Sequence, residues 1–118
     1  MIIEEKKQLI GRGRVAIQEE TQLKIKVMAM LKSIPLLWCY KVEAGAIAGT
    51  PDIIGVVNAR FFALELKTET GRVSKIQRHK LRQIDKSGGY ARVLRPSNLD
   101  AIINDLHLIA GGKAVDGL

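Results

Sequence analysis

Two apolar runs separated by only two residues constrain this chain more than anything else in it. Asp52-Ile53-Ile54-Gly55-Val56-Val57 is rich in β-branched residues, and Arg60-Phe61-Phe62-Ala63-Leu64-Glu65-Leu66-Lys67 follows directly after Asn58-Ala59. Both runs read as strands, and a two-residue link between strands is a hairpin turn. With the turn centred on Asn58-Ala59, Val57 faces Arg60, Ile54 faces Ala63 and Asp52 faces Glu65. Directly opposed residues of an antiparallel pair have Cβ atoms roughly 4.5–5.5 Å apart and share a face. Side chains alternate, so Lys67 joins Glu65 on that face while Phe62, Leu64 and Leu66 turn to the other. Ala59 is the weak point, because the second position of a type I′ turn needs a positive φ. A four-residue loop over Val57–Arg60 keeps the same pairing, whereas an odd-length loop breaks it.

Two carboxylates placed opposite each other repel and destabilise a sheet. A divalent cation between them removes that cost, and hard oxygen ligands favour Mg²⁺ or Mn²⁺ over softer metals. The competing view makes Asp52 a plain turn acid after Pro51 and pairs Glu65 with Lys67 on a solvated strand face. Taken singly, each residue fits that view; all three on one face of a strongly basic chain favour a site.

The charge balance matters here. Lys and Arg number 19 against 12 acids, a net charge of +7 with a pI near 9.8. Such a balance points to a polyanionic partner. Aromatic residues make up only 4% of the chain, which argues against a stacking platform for single strands. The 118 residues amount to one domain with a core over about 17–95 and a C-terminal helix over about 98–109. Cys39 has no intrachain partner and, inside the apolar run Leu36–Tyr40, reads as a buried core thiol. No signal peptide and no apolar run near the ~20 residues of a membrane span are visible, so an intracellular location is expected. No Ser-His-Asp set, no His-Glu-x-x-His and no paired cysteines are present for protease or zinc chemistry. No small-molecule cofactor is indicated.

The remaining pattern alternates helices and strands. Residues from about Ile17 to Lys32 read as a helix, with Leu23, Val27, Leu31 and Ile34 at near-helical spacing. At ~100° per residue Glu20 projects from the centre of that stripe and Glu19 toward its edge. A carboxylate on a buried face must be paired or metal-bound; alternatively Glu20 lies beyond the core edge, in the first helical turn, where acids favour the dipole. Leu36–Val42 is a strand opened by Pro35, and Gly45, Gly49 and Pro51 mark the loop into Asp52. The small residues of 44–49 permit close backbone approach by a ligand. Thr68–Val73 is a polar turn around Gly71. Ser74 and Gln77 form a capping box, which starts a helix at Lys75 that stops at Ser87-Gly88-Gly89. On it Leu81 and Ile84 face inward, and Lys75, Arg78, Arg82 and Lys86 form a basic stripe bordered by His79. That stripe is either a solvated helix face or a phosphate contact; Asp85 is its one nearby acid, which favours contact. Lys41 and Arg72 join it as candidate DNA-binding residues. Tyr90–Leu94 is a short strand, Ser97 and Asp100 open a last helix, and the 12 N-terminal residues and the Gly111-Gly112 tail look like loose ends. The order α-β-β-β-α-β-α predicts an α/β domain with a mixed sheet flanked by helices.

Gly49-Thr50-Pro51-Asp52, then Glu65-Leu66-Lys67, then Ser74 and Gln77, with Glu20 on the first helix, resembles the PD-(D/E)xK nuclease superfamily. The finer resemblance is to the virus-type replication-repair nuclease (VRR-NUC) family and its small stand-alone bacteriophage members. It covers about residues 17–95. The resemblance implies a restriction-endonuclease-like core and an Mg²⁺- or Mn²⁺-dependent DNA endonuclease acting on branched DNA, such as Holliday junctions or flaps. It also implies that Asp52, Glu65, the Leu66 backbone carbonyl and Glu20 hold the metal, that Lys67 orients the attacking water, and that Gln77 fixes the site from the second helix. For Gln77 this competes with the capping role, and Glu19 stays open against Glu20. A homodimer with two active sites would suit paired cuts in DNA. The alternative is a non-catalytic nucleic-acid-binding module that retains the fold.

Overall fold

The computed structural model describes residues 18–43 and 45–117, and the N-terminal dozen residues and Ile17 lie outside them. Residues 18–32 form helix α1, whose apolar stripe Leu23, Val27 and Leu31 is buried together with Ile34. Strands β1 (Leu37–Lys41), β2 (Ile53–Val57) and β3 (Arg60–Leu66) come next in the chain, then helix α2 (Lys75–Lys86) and strand β4 (Tyr90–Leu94). A 3₁₀ turn over Pro96–Asn98 leads into helix α3 (Leu99–Ala110). The fold is α/β, with one four-stranded mixed sheet in the order β1-β2-β3-β4. β1, β2 and β3 are antiparallel neighbours, and β4 runs parallel to β3 after the crossover through α2.

The hairpin register is the expected one, with Val57 opposite Arg60, Ile54 opposite Ala63 and Ile53 opposite Leu64. Asn58 and Ala59 both take positive φ, 42° and 70°, the primed geometry that matches strand twist. Left-handed Ala59 is strained, and docking offsets this. Asn58 Nδ2 donates to the Ile109 and Ala110 carbonyls at the end of α3, and its backbone N–H donates to Leu36 O.

The sheet's two faces are covered unequally. Ile53, Val57, Phe62, Leu64, Leu66, Tyr90 and Leu94 face α1 and α3 in the main core. The opposite face is covered by α2 over β3 and β4, which buries Ala63, Glu65 and Ala91. Phe62–Leu66 are thus buried on both faces, so Glu65 does not lie on a solvated strand face. Toward β1 no helix among the described residues covers the same outer face.

Several details depart from the sequence expectations. Strand β1 is shorter than Leu36–Val42, because Leu36 has φ 57° and breaks the extended run. Cys39 is half-buried rather than deep in the core, although that burial still pushes its thiol pKa up, against the opposing charge of Lys32. The last helix lies where expected, with Asp100 in its first turn, but Ser97 does not cap it. The helix starts at Leu99 after the 3₁₀ turn, and Asn98 braces that turn by accepting from Arg95 N and donating to Val93 O. The tail is not loose: Arg60 donates to Val115 O at 2.8 Å and Arg92 to Asp116 O at 2.7 Å. Both guanidinium groups also lie over the Tyr90 ring. Among the described residues, no helix is long and apolar enough to cross a membrane.

Candidate active site

The β1–β2 ladder continues past Ile53 through the Val42 N–H bond to Asp52 O at 2.8 Å, which carries Asp52 toward Glu65 at the end of β3. Asp52 Oδ2 accepts the Leu66 backbone N–H at 2.8 Å. Leu66 therefore enters the site through its amide, while its side chain fills the core. Lys67 Nζ lies 3.8 Å from Glu65 Oε1. Gln77 Nε2 donates to the same Glu65 oxygen at 3.1 Å.

The capping box is present as expected: Ser74 Oγ accepts from Gln77 N and Gln77 Oε1 accepts from Ser74 N. The two roles weighed for Gln77 are therefore compatible. Its amide oxygen accepts from Ser74 N while its amide nitrogen donates to Glu65, a division that needs an acceptor and a donor on one side chain.

Glu65 is 3% exposed, and its Oε2 has no hydrogen-bond partner. Buried polar atoms without partners are rare and costly. Burial pushes the Glu65 pKa up to about 8, the Asp52 carboxylate adds to this, and Lys67 and Lys24 oppose it. Burial and the neighbouring Asp52 carboxylate thus favour the protonated form of Glu65 in metal-free protein. The arrangement also fits a hard cation, because an unpartnered carboxylate oxygen stands beside a second carboxylate.

Lys24 is the site residue the sequence left unremarked. From α1 its Nζ reaches Asp52 Oδ1 at 3.8 Å. The signal was its place four residues after Glu20, since residues so spaced are neighbours on a helix.

Glu20 is exposed. Among the described residues, no group of three or more His, Cys, Asp or Glu is gathered to hold a metal ion, so Glu20 does not join Asp52 and Glu65 here. Its exposure is that of an acid beyond the core edge. Glu19 lines a different cleft, with Lys26, Glu69 and Pro96.

The loop before Asp52 owes its glycine to packing. Gly49 has φ 81°, and a Cβ there would lie 2.8 Å from Ile76 Cγ1 and 3.1 Å from the Ile76 backbone. The close approach permitted in 44–49 is made at Gly49 by α2, which seats the loop against the helix that carries Gln77.

Lys75, Arg78, Arg82, Lys86, Lys41 and Arg72 are all exposed. They do not form one surface. Arg78, Arg82 and Lys86 line a cleft with Leu81, Asp85 and Val93, whereas Lys41 lines another with Lys24 and the 45–52 loop beside Asp52.

Comparison with protein-family models, with curated proteins and with solved structures finds no match.

Proposed function

We propose that this chain is a metal-dependent DNA endonuclease with a PD-(D/E)xK core of the VRR-NUC kind, hydrolysing phosphodiester bonds in branched DNA. The observation that carries the proposal is the unpartnered, buried Glu65 Oε2 beside Asp52, with Lys67 on the same carboxylate. A structural ion pair does not require such an atom.

Asp52, Glu65 and the Leu66 carbonyl would hold Mg²⁺ or Mn²⁺, which when bound supplies Lewis acidity toward the phosphate and a nucleophile at neutral pH. Gln77 holds Glu65 in one rotamer from a capped helix, so the ligand is preorganised. Lys67, mostly buried against Glu65, presents its ammonium where negative charge grows on the phosphate. Lys24, half-buried, balances the charge of Asp52 from α1. Glu20, one helical turn before Lys24, would act through water. The basic groups on α2 and Lys41 would hold flanking phosphates on either side of the acid pair. Paired cuts in a junction would call for a homodimer, and sedimentation at micromolar concentration tests that part alone.

The second reading, a non-catalytic nucleic-acid-binding module, is favoured by the lack of a third acid near the pair among the described residues. One assay separates the two. Wild-type protein is incubated with branched DNA and Mg²⁺ or Mn²⁺, beside Asp52→Ala and Lys67→Ala. Cleavage by wild type alone supports the nuclease, and binding without cleavage supports the module.

A further inference from the structure

Three of the five aromatic residues lie exposed on the outer face of the sheet, on the same side as Glu65. Trp38 is 63% exposed, Tyr40 47% and Phe61 43%, with Val56 at 38%. The pairing places Trp38, Val56 and Phe61 in one row across β1, β2 and β3, and Tyr40, Ile54 and Ala63 in the next. The row after that is Asp52 and Glu65. The Trp38 and Tyr40 rings lie nearly parallel, 13° apart in plane, with centroids 6.4 Å apart. Aromatic content is low, but three of the five rings are gathered in one place.

We propose that this uncovered face is a base-stacking surface for unpaired nucleotides of a DNA strand whose backbone runs to the acid pair. The proposal names the substrate of the site above and so rests on the nuclease reading. Every base has a π-face, so exposed rings accept unpaired bases irrespective of sequence. Rows two residues apart are separated by about 7 Å, so a base on Tyr40 lies one row from the acid pair, within reach of a strand whose phosphate is held there. Charge supports a polyanion. The chain carries net charge +7, and around the β1 edge, on the α1 side of the sheet, Lys24, Lys32 and Lys41 line a cleft with no acid among its lining residues.

A second copy of the chain fits less well. It would bring together two chains of net charge +7 each. The four exposed side chains offer roughly 400 Å², taking 150–250 Å² for a whole aromatic side chain. A stable interface takes about 800 Å² from each partner.

Trp38 is the only tryptophan, so the emission of the intact chain reports on this face. Metal-free protein is titrated with a 12-nucleotide oligo(dT) and with a blunt duplex of equal length. The expected result is quenching by the single strand and not by the duplex. Tyr40→Leu should weaken single-strand affinity about tenfold while leaving duplex affinity unchanged. Trp38→Leu, followed by anisotropy of labelled DNA, should do the same, and Trp38→Phe should retain most of the affinity. The quench is read in metal-free protein, where cleavage plays no part, so the stacking test stands even if no cleavage is ever found. Unquenched emission with oligo(dT) overturns the proposal, even for a protein that cleaves branched DNA. So does unchanged single-strand affinity in both leucine variants. Emission that shifts with protein concentration alone, together with dimer in sedimentation, assigns the face to a second copy and also overturns it.

Discussion

Gln77 ties Glu65 to the first turn of α2: its amide nitrogen donates to Glu65 Oε1 at 3.1 Å while its amide oxygen accepts the Ser74 N–H at 2.9 Å. The position of the buried acid is thereby linked to a helix cap. Gln77→Glu keeps the acceptor for Ser74 but sets a second carboxylate against Glu65. Cleavage should fall 10- to 100-fold, the usual effect of losing a group that orients a metal ligand, with α2 still capped. Gln77→Met loses both side-chain bonds but keeps the Ser74 cap on its backbone N–H, and denaturation should show a further loss of about 1 kcal/mol, the ordinary worth of the hydrogen bond to Ser74 N. Cleavage rates and urea melts on the two variants check this.

The raised pKa of Glu65 gives stability a definite pH dependence. Its ordinary value is 4.5 and its folded value about 8, so between these limits the folded state binds more protons than the unfolded state. Metal-free stability should therefore fall as pH rises through that window, by at most about 1.4 kcal/mol per unit from this group. Glu65→Gln should flatten the slope, and the difference between the two urea series isolates the group. Metal binding must displace the same proton. Mg²⁺ affinity, measured by calorimetry, should climb with pH toward about 8 and level off above it.

Gly49→Ala meets two obstacles, a φ of 81° and the Ile76 side chain 2.8 Å from the new Cβ. A loss of about 1–3 kcal/mol is expected, together with weaker cleavage as the loop before Asp52 shifts off α2. Gly45→Ala has a similar φ but open space around it, and should cost about 1 kcal/mol. Thermal melts of the two variants separate backbone strain from the clash.

Arg78, Arg82 and Lys86 share one cleft. If DNA lies in it, replacing each by Gln should lower the slope of log affinity against log salt by about one, equally for all DNA sequences. An unchanged slope in all three variants would leave the stripe a solvated helix face.

Arg60 clamps the tail through Val115 O and the α2 exit through Gly88 O and Gly89 O. Arg60→Ala should speed amide exchange over residues 113–117 well before it affects the sheet. Hydrogen-exchange mass spectrometry resolves the two regions.

Much of the frame was legible because it depends on local geometry. Strand alternation and a two-residue link set the hairpin register as far as Ile53 and Leu64, and Ser74 with Gln77 marked the start of α2, since turn and cap bonds span only a few residues. The same locality explains the failures. Ser97 had the look of a helix cap, yet Pro96–Asn98 form a 3₁₀ turn that Asn98 ties back to Val93 in β4, and α3 starts at Leu99. Gly111-Gly112 had the look of a free end, yet Arg60 and Arg92 hold Val115 and Asp116 from strands far away in sequence.

By itself, the sequence determined the strand pairing, the acid–acid–lysine grouping it implies and the capped helix beside them, because backbone periodicity and hydrogen-bond geometry act over a few residues. Only the tertiary structure decided that α2 would seal Glu65 from water, that Lys24 would meet Asp52, that Gly49 would lie against Ile76 and that Trp38 and Tyr40 would stay uncovered. Each depends on which element packs over which face, and that is set by long-range burial of apolar surface.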